Sequence, residues 1–469
     1  MQRPNILLLY VDQMRWDCLG ANGNTEIITP NLDQLAIQGT SFTHCFVQHP
    51  LCMPSRVSML SGQYPATLGI THMGVPVPED LPILPTFLKR AGYRTANIGK
   101  LHFQPHPNRD HRDLHPAYDF DHLEISDEPG VYEDAYRAWV RAKKPHQMDL
   151  LSVGLPPATK VWYDLMGQDN GVVHPDPLPR EDFDYTKVFR ADDDMTHTAF
   201  VAEQTQNFLQ QHLSRQPFLC IAGFYSPHAP MVVPQTYLDL YDSNTLSLPM
   251  YPPDVDAKRP ASGLFSDAHL RDIMHGYYAM ISEVDYHVGK ILDTLEDTGL
   301  ADNTIIVFTS DHGEWLGNHL RFAKGYPADD GASRVPLIIK SPFKHAMPVS
   351  DAIVEAVDIV PTLLELVALQ IPSHLQGKSL LPLLRGDVAH HRDSALVEGN
   401  GWKNIRTRQF RYLVHADGNE SLWDIVKDAD EYDNVANDST YRSALAECRL
   451  GMLRHLLDIE RPRKRTWVY

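Results

Sequence analysis

Strand-like runs recur along the chain at residues 5–11, 40–47, 93–98, 217–224, 304–309 and 335–339, with helical patterns between them. Several are apolar at consecutive positions, as a strand covered on both faces should be. The clearest helical repeat spans 272–295, where Ile273, Tyr277, Met280, Val284, Val288, Ile291 and Leu295 recur every three or four residues. A second covers 196–213. A third, 354–369, carries Pro361, which predicts a kink or a division there. This alternation predicts an α/β sandwich around a mostly parallel central sheet.

The length of 469 residues allows two or three domains, two being the expectation. The α/β pattern runs over 1–385. Within it, 103–194 is dense in His, Asp, Pro and aromatic residues and weak in periodicity, so it reads as an excursion from the sheet that shapes a pocket. After residue 385 the pattern changes to short strands at 394–397, 402–406 and 412–415, a turn at Asp417-Gly418, and a helix near 441–457. That predicts a small α+β domain over 386–469, with antiparallel strands and a helix. The basic ending Arg461 to Arg465 reads as a solvated tail.

Composition narrows the partners. Lys plus Arg number 42 against 60 Asp plus Glu, a net charge of −18, which opposes a broad nucleic-acid or anionic-membrane surface. No stretch approaches the roughly 20 apolar residues of a membrane span, and the short run before Asp12 reads as a first strand rather than a signal peptide. The five cysteines, Cys18, Cys45, Cys52, Cys220 and Cys448, are too scattered for a disulfide framework or a CxxC zinc site. They read as reduced thiols, which predicts a cytoplasmic protein. Oligomeric state is not legible.

In open parallel sheets, ligands bind beyond the carboxyl ends of the strands. The first run ends in Asp12-Gln13 and the run 304–309 in Ser310-Asp311-His312-Gly313. If those strands are neighbours, the two pairs form a divalent site of mainly oxygen ligands; singly, each is also ordinary turn chemistry. Between them lies Leu51-Cys52-Met53-Pro54-Ser55-Arg56, followed by Leu60-Ser61-Gly62. Pro54 suits the first turn of a helix, which puts Cys52 just ahead of an N-terminus that favours anions, with Arg56 one turn in. On its residues alone this is a polarised cysteine facing a negatively charged substrate, or else a buried structural thiol. A thiol protease is the rival catalytic reading, but these cations suit a tetrahedral oxyanion better than a peptide carbonyl.

The segment Cys52-Met53-Pro54-Ser55-Arg56 with Leu60-Ser61-Gly62 resembles the signature of type I sulfatases of the alkaline-phosphatase-like superfamily, in which the cysteine becomes formylglycine. Ser61 stands where the family usually has Thr. The likeness extends through Gly99-Lys100-Leu101-His102, Ser226-Pro227-His228-Ala229-Pro230, Ser310-Asp311-His312-Gly313, Lys324 before Arg334-Val335-Pro336, and Leu422-Trp423-Asp424. It implies that Asp12, Gln13, Asp311 and His312 hold a divalent metal together with modified Cys52. It also implies that one hydroxyl of hydrated formylglycine attacks sulfur while the second expels sulfate. Arg56 would steady the formylglycine, and Lys100 and Lys324 would neutralise the transferring group. Lys100 and His102, two apart, would face one anion if extended backbone continues past Ile98. His228, in a stiff Pro-flanked loop, would serve as general acid to the leaving group. His319 reads as structural.

Many sulfatases have Asp at the position of Gln13 and Asn at that of His312. The set found here resembles phosphonate monoester hydrolases, choline sulfatases and some carbohydrate sulfatases. Calcium is the expected ion, with manganese the alternative that a nitrogen ligand introduces. The implied activity is hydrolysis of a small sulfate ester, such as a sulfated sugar, short oligosaccharide, or aryl or alkyl sulfate. A formylglycine-generating maturation enzyme is the implied partner. Phosphonate monoester or phosphodiester hydrolysis is the alternative; a silent binder of sulfated ligands is disfavoured, because a binder needs no nucleophile.

Overall fold

A computed structural model describes residues 3–104, 115–154, 185–212, 216–261, 263–343, 345 and 347–460. Its main sheet is built from β1 (Asn5–Val11), β2 (Thr40–Phe46), β3 (Arg94–Gly99), β4 (His122–Ile125), β6 (Phe218–Gly223), β8 (Thr304–Ser310), β9 (Arg334–Lys340) and β10 (Val349–Glu355). A separate ladder pairs the two-residue strands β5 (Lys187–Val188) and β7 (Val232–Val233). The main sheet runs in the order β10-β2-β9-β8-β1-β6-β3-β4. All its pairings are parallel except the two made by β9. The mostly parallel sheet expected from the apolar runs is therefore present, with one reversed strand.

β1 shows why continuous apolarity is needed. Leu7, Leu9 and Val11 face one core with the helices His197–Gln210 and Asp267–Asp297, while Ile6, Leu8 and Tyr10 face the other with Ile359–Leu366 and Leu381–Arg385. Every residue of β1 is buried, as a strand between two helical layers must be. Among the described residues no helix is long and apolar enough to cross a membrane, and all five cysteines are buried and free.

Two readings of the sequence need correction. The stretch 354–369 is not one kinked helix: Val354 and Glu355 close β10, and the helix starts at Ile359, so Pro361 lies in its first turn, where a missing N–H costs nothing. The segment 103–194 is not wholly an excursion, because its residues 122–125 pair with β3 as the sheet's edge strand. Residues 105–114 and 155–184 of that segment, and the basic ending, lie outside the described residues.

The second sheet is antiparallel, in the order β11 (Ser394–Gly399), β12 (Trp402–Thr407), β13 (Phe410–His415), β14 (Glu420–Asp424). The helix Arg442–Ile459 packs on it, and their core also takes in Tyr64 and Val357 from the larger unit. Buried ion pairs join the two: Arg392 spans Glu355 and Asp358, and Arg411 meets Asp330 and Glu431.

Candidate active site at the carboxyl edge of the sheet

β1 and β8 are parallel neighbours in register, Val11 opposite Ser310, so Asp12 and Asp311 emerge side by side. β6 and β3 end at the same edge, Gly99 opposite Gly223. A side chain at either glycine would strike backbone at 2.1–2.2 Å, and this close approach lets Lys100 N donate to Gly223 O at 2.7 Å. Because β9 runs backwards, it starts at this edge, and the connection from β8 to β9 carries Lys324 over the strand ends.

The helix Cys52–Ser61 supplies the next layer. Cys52 is its first residue, not one ahead of it, and Arg56 lies one turn in; both are buried. Arg56 Nε donates to Asp311 Oδ2 at 2.7 Å, Nη1 donates to Lys100 O at 3.2 Å, Nη2 lies 3.7 Å from Asp12 Oδ2, and the guanidinium stands 4.5 Å from the Tyr10 ring. Burial favours the neutral form, but Asp311 and Asp12 outweigh it and hold Arg56 above its ordinary range. Ser55 Oγ donates to Asp311 O, tying helix to strand end.

Ligand atoms of Asp12, Cys52, Asp311 and His312 all lie within 4.8 Å of one another, and all four residues are buried. His312 Nε2 is 3.1 Å from Cys52 Sγ, 3.4 Å from Asp12 Oδ1 and 3.6 Å from Asp311 Oδ1. Its Nδ1 lies 2.9 Å from Gly313 O, and since a carbonyl only accepts, Nδ1 carries the proton and Nε2 offers its lone pair. Burial holds His312 below its ordinary range, which favours the neutral ligand form. For Asp12, burial works upward, yet Lys100, His228, Lys324 and Arg56 keep the carboxyl well below the usual range. Two carboxylates, one imidazole nitrogen and one cysteine side chain converging in this way fit a divalent cation.

Gln13, in the left-handed region at φ 66°, donates its backbone N–H to Asp311 Oδ1 at 3.0 Å. Its amide donates through Nε2 to Glu314, and Oε1 accepts from Lys324 Nζ at 2.6 Å. Lys324 Nζ also lies 3.2 Å from Cys52 Sγ and 2.6 Å from His228 Nε2. Burial lowers the Lys324 ammonium, but Cys52, Asp12 and Asp311 overcome it, so its pKa is raised. His228 Nδ1 faces Ala229 O at 2.6 Å, so Nε2 accepts from Lys324; to protonate a leaving group, His228 must first take a proton. Lys100, fully buried, pairs with Asp12 and stands 4.8 Å from the Tyr225 ring.

Two expectations fail here. Backbone is not extended past Ile98: Gly99 (φ 90°) and His102 (φ 58°) turn the chain, and Asp127 Oδ1 holds Leu101 N and His102 N at 2.8 Å each. Nor is Cys52 a polarised thiol. Burial and Asp12 push it up to about 11, more than Lys324 and Lys100 pull it down, so these side chains hold it protonated at neutral pH. His319 ring-contacts Tyr432 at 4.5 Å and faces Asp329 at 3.7 Å.

Sequence reading missed Tyr10, Asp127, Tyr225 and Glu314. Glu314 sits three residues past Asp311 and the position of Asp127, near a strand end, is a usable signal; the aromatic pair carried none, because each is one apolar position among many.

A family profile described as Sulfatase matches residues 4–369, and one described as N-sulphoglucosamine sulphohydrolase, C-terminal, matches 317–455. An arylsulfatase of Clostridium perfringens is 30% identical, covering 97% of this chain and 94% of that protein. A choline-sulfatase of Rhizobium meliloti is 28% identical over 92% and 82%. The crystal structure of a phosphonate monoester hydrolase of Agrobacterium radiobacter superposes with a TM-score of 0.80 at 25% identity, covering 98% of this chain and 96% of that one. The chain belongs to the sulfatase family, within the alkaline-phosphatase-like superfamily, and is a sulfuric ester hydrolase.

Proposed function

We propose that the protein hydrolyses a small sulfate ester, a sulfated sugar, short oligosaccharide, or aryl or alkyl sulfate, to the alcohol and inorganic sulfate. The observation that carries this reading is the convergence of Arg56, Lys100, Lys324 and His228 on the ligand cluster around Cys52. A transferring sulfuryl group spreads negative charge over its oxygens, and fixed, buried cations stabilise that charge more than water can.

A protonated buried thiol is a poor nucleophile, which favours conversion of Cys52 to formylglycine by a maturation enzyme. Once hydrated, that residue supplies two hydroxyls, one to displace the alcohol from sulfur and one to expel sulfate. A bound divalent cation, calcium before manganese, adds Lewis-acid polarisation at the same place. Asp12, Gln13, Asp311 and His312 would hold it. Arg56 fixes Asp311 and the first turn of the Cys52 helix, Lys324 meets the nucleophile directly, and the Lys324–His228 contact is a path for the leaving group's proton. A substrate of this size and reduced, buried cysteines suit a cytoplasmic enzyme, and the net charge of −18 disfavours long polyanions.

A second reading, phosphonate monoester or phosphodiester hydrolysis, is favoured by the Gln13 and His312 ligand set and by the likeness to the phosphonate monoester hydrolase. Comparing kcat/KM for 4-nitrophenyl sulfate, an aryl phosphonate monoester and an aryl phosphodiester decides between them. The sulfate is expected to rank first; a phosphorus ester ranking first would install the second reading.

A further inference from the structure

The second sheet meets the loops that deliver Cys52 and Lys324 around Trp402. This residue opens β12 directly after Gly401, which adopts the left-handed φ of 77°. Its register partners are Gly399 on β11 and His415 on β13, so all three positions lie on one face of the sheet. A Cβ on Gly399 would meet the indole at 2.5 Å. The glycine is thus a seat for the ring, and any larger residue there would displace it.

That face meets two loops of the catalytic machinery. Tyr326, two residues past Lys324, packs its ring 5.8 Å from Trp402 and 5.1 Å from His415, and its hydroxyl lies 2.7 Å from His415 Nε2. From the other loop, His49 lies 6.3 Å from Trp402, and its Nδ1 accepts from Leu51 N, one residue before Cys52. The aromatic group therefore stands between the loop that delivers Cys52 and the loop that delivers Lys324. It is not a closed core: Tyr326 is 46% exposed, and Trp402 and His415 are half-buried. Half-exposed aromatic rings beside the loops that carry Cys52 and Lys324 suit the apolar face of a ring that bears an anionic substituent.

We propose that Trp402, flanked by Tyr326 and His415, is the wall on which the leaving-group ring of the sulfate ester stacks. This narrows the substrate to ring-bearing alcohols, pyranose or aryl, and it rests on the sulfatase reading above. The wall is a binding element contributed by the small unit to chemistry performed by the large one.

The test uses the mature, metal-loaded full chain with 4-nitrophenyl sulfate, glucose 6-sulfate and butyl sulfate, taking the variant-to-wild-type ratio within each ester so that leaving-group reactivity cancels. Trp402→Ala is expected to lower kcat/KM about three- to tenfold on the ring-bearing esters, chiefly through KM, and no more than about twofold on butyl sulfate. Trp402→Phe should recover most of the loss, and Gly399→Ala, which moves the indole without removing it, should reproduce the same selectivity. A loss confined to the aryl or to the sugar ester assigns the wall to that class. Equal losses on all three esters, or none on either ring-bearing one, would overturn the wall. Wild-type protein that turns over none of the three would instead overturn the sulfatase reading beneath it.

Discussion

Gln13 is gripped at both ends of its amide, Nε2 by Glu314 and Oε1 by Lys324 at 2.6 Å. Glu314 also accepts from Leu316 N at 3.1 Å, so the carboxylate that sets the amide's direction is itself anchored. Removing it frees the amide to rotate and present NH2 where an oxygen is needed. Glu314→Ala is therefore expected to weaken calcium binding about 10- to 100-fold, measured by calorimetric titration of the metal-stripped protein; unchanged affinity would mean that Gln13 does not depend on Glu314. Asp12, Asp311 and His312 were readable because they stand within three residues of the end of an apolar run, and Cys52 and Arg56 because their spacing puts them on one helical turn. Glu314 and Asp127 could be flagged by position, but what they hold, at Gln13 and His102, lies about 300 and 25 positions away, and such contacts have no local pattern.

The 31-residue helix Asp267–Asp297 shows the same contrast at the level of elements. Its centre is plain from the apolar repeat. Its first turn, before that repeat begins, is set by Ser266, whose side chain accepts from His269 N at 3.3 Å. The segment around Pro361 misled because Val354 belongs to the apolar run Ala352-Ile353-Val354 of β10, which leads into the helical pattern after only a few residues; only pairing with β2 separates strand from helix. Midway along the long helix, Glu283 is buried and accepts from Thr196 Oγ1 at 2.5 Å. Burial pushes its carboxyl up to about 7, with nearby Asp193 adding to the shift. The folded state thus holds this proton more tightly than the unfolded chain, whose value is near 4.5. Its contribution to stability is fully present below about pH 4.5 and lost as pH rises through about 7. Relative to Glu283→Gln, wild-type protein should lose about 3 kcal/mol between pH 4.5 and 8 in denaturant melts; a pH-independent difference would refute this.

Across the whole molecule, the two sheets are joined by charge as well as by apolar packing. Arg392 reaches from the start of the second unit to Glu355 and Asp358, and Tyr64 OH donates to Glu355 at 2.5 Å. Gln376 bridges further, accepting from Tyr64 N at 2.8 Å and donating to Ile459 O at 2.8 Å. Arg392→Ala leaves two buried carboxylates facing each other, which is expected to cost about 3–5 kcal/mol and to lower the melting temperature of both units together. Separate transitions in calorimetry, with only one of them shifted, would show that the units unfold independently. This joint was outside the reach of sequence, since Arg392 looks like any loop arginine until the fold closes around it. The same joint holds the second sheet beside the loop that leads into Cys52, the residue proposed to become the nucleophile. The first measurement is therefore the mass of the Cys52 peptide from protein made in its natural host. Formylglycine, lighter than cysteine by the exchange of CH2SH for CHO, is the expected result; a full complement of unmodified thiol would contradict a gem-diol nucleophile and, with it, the proposed route to sulfate release.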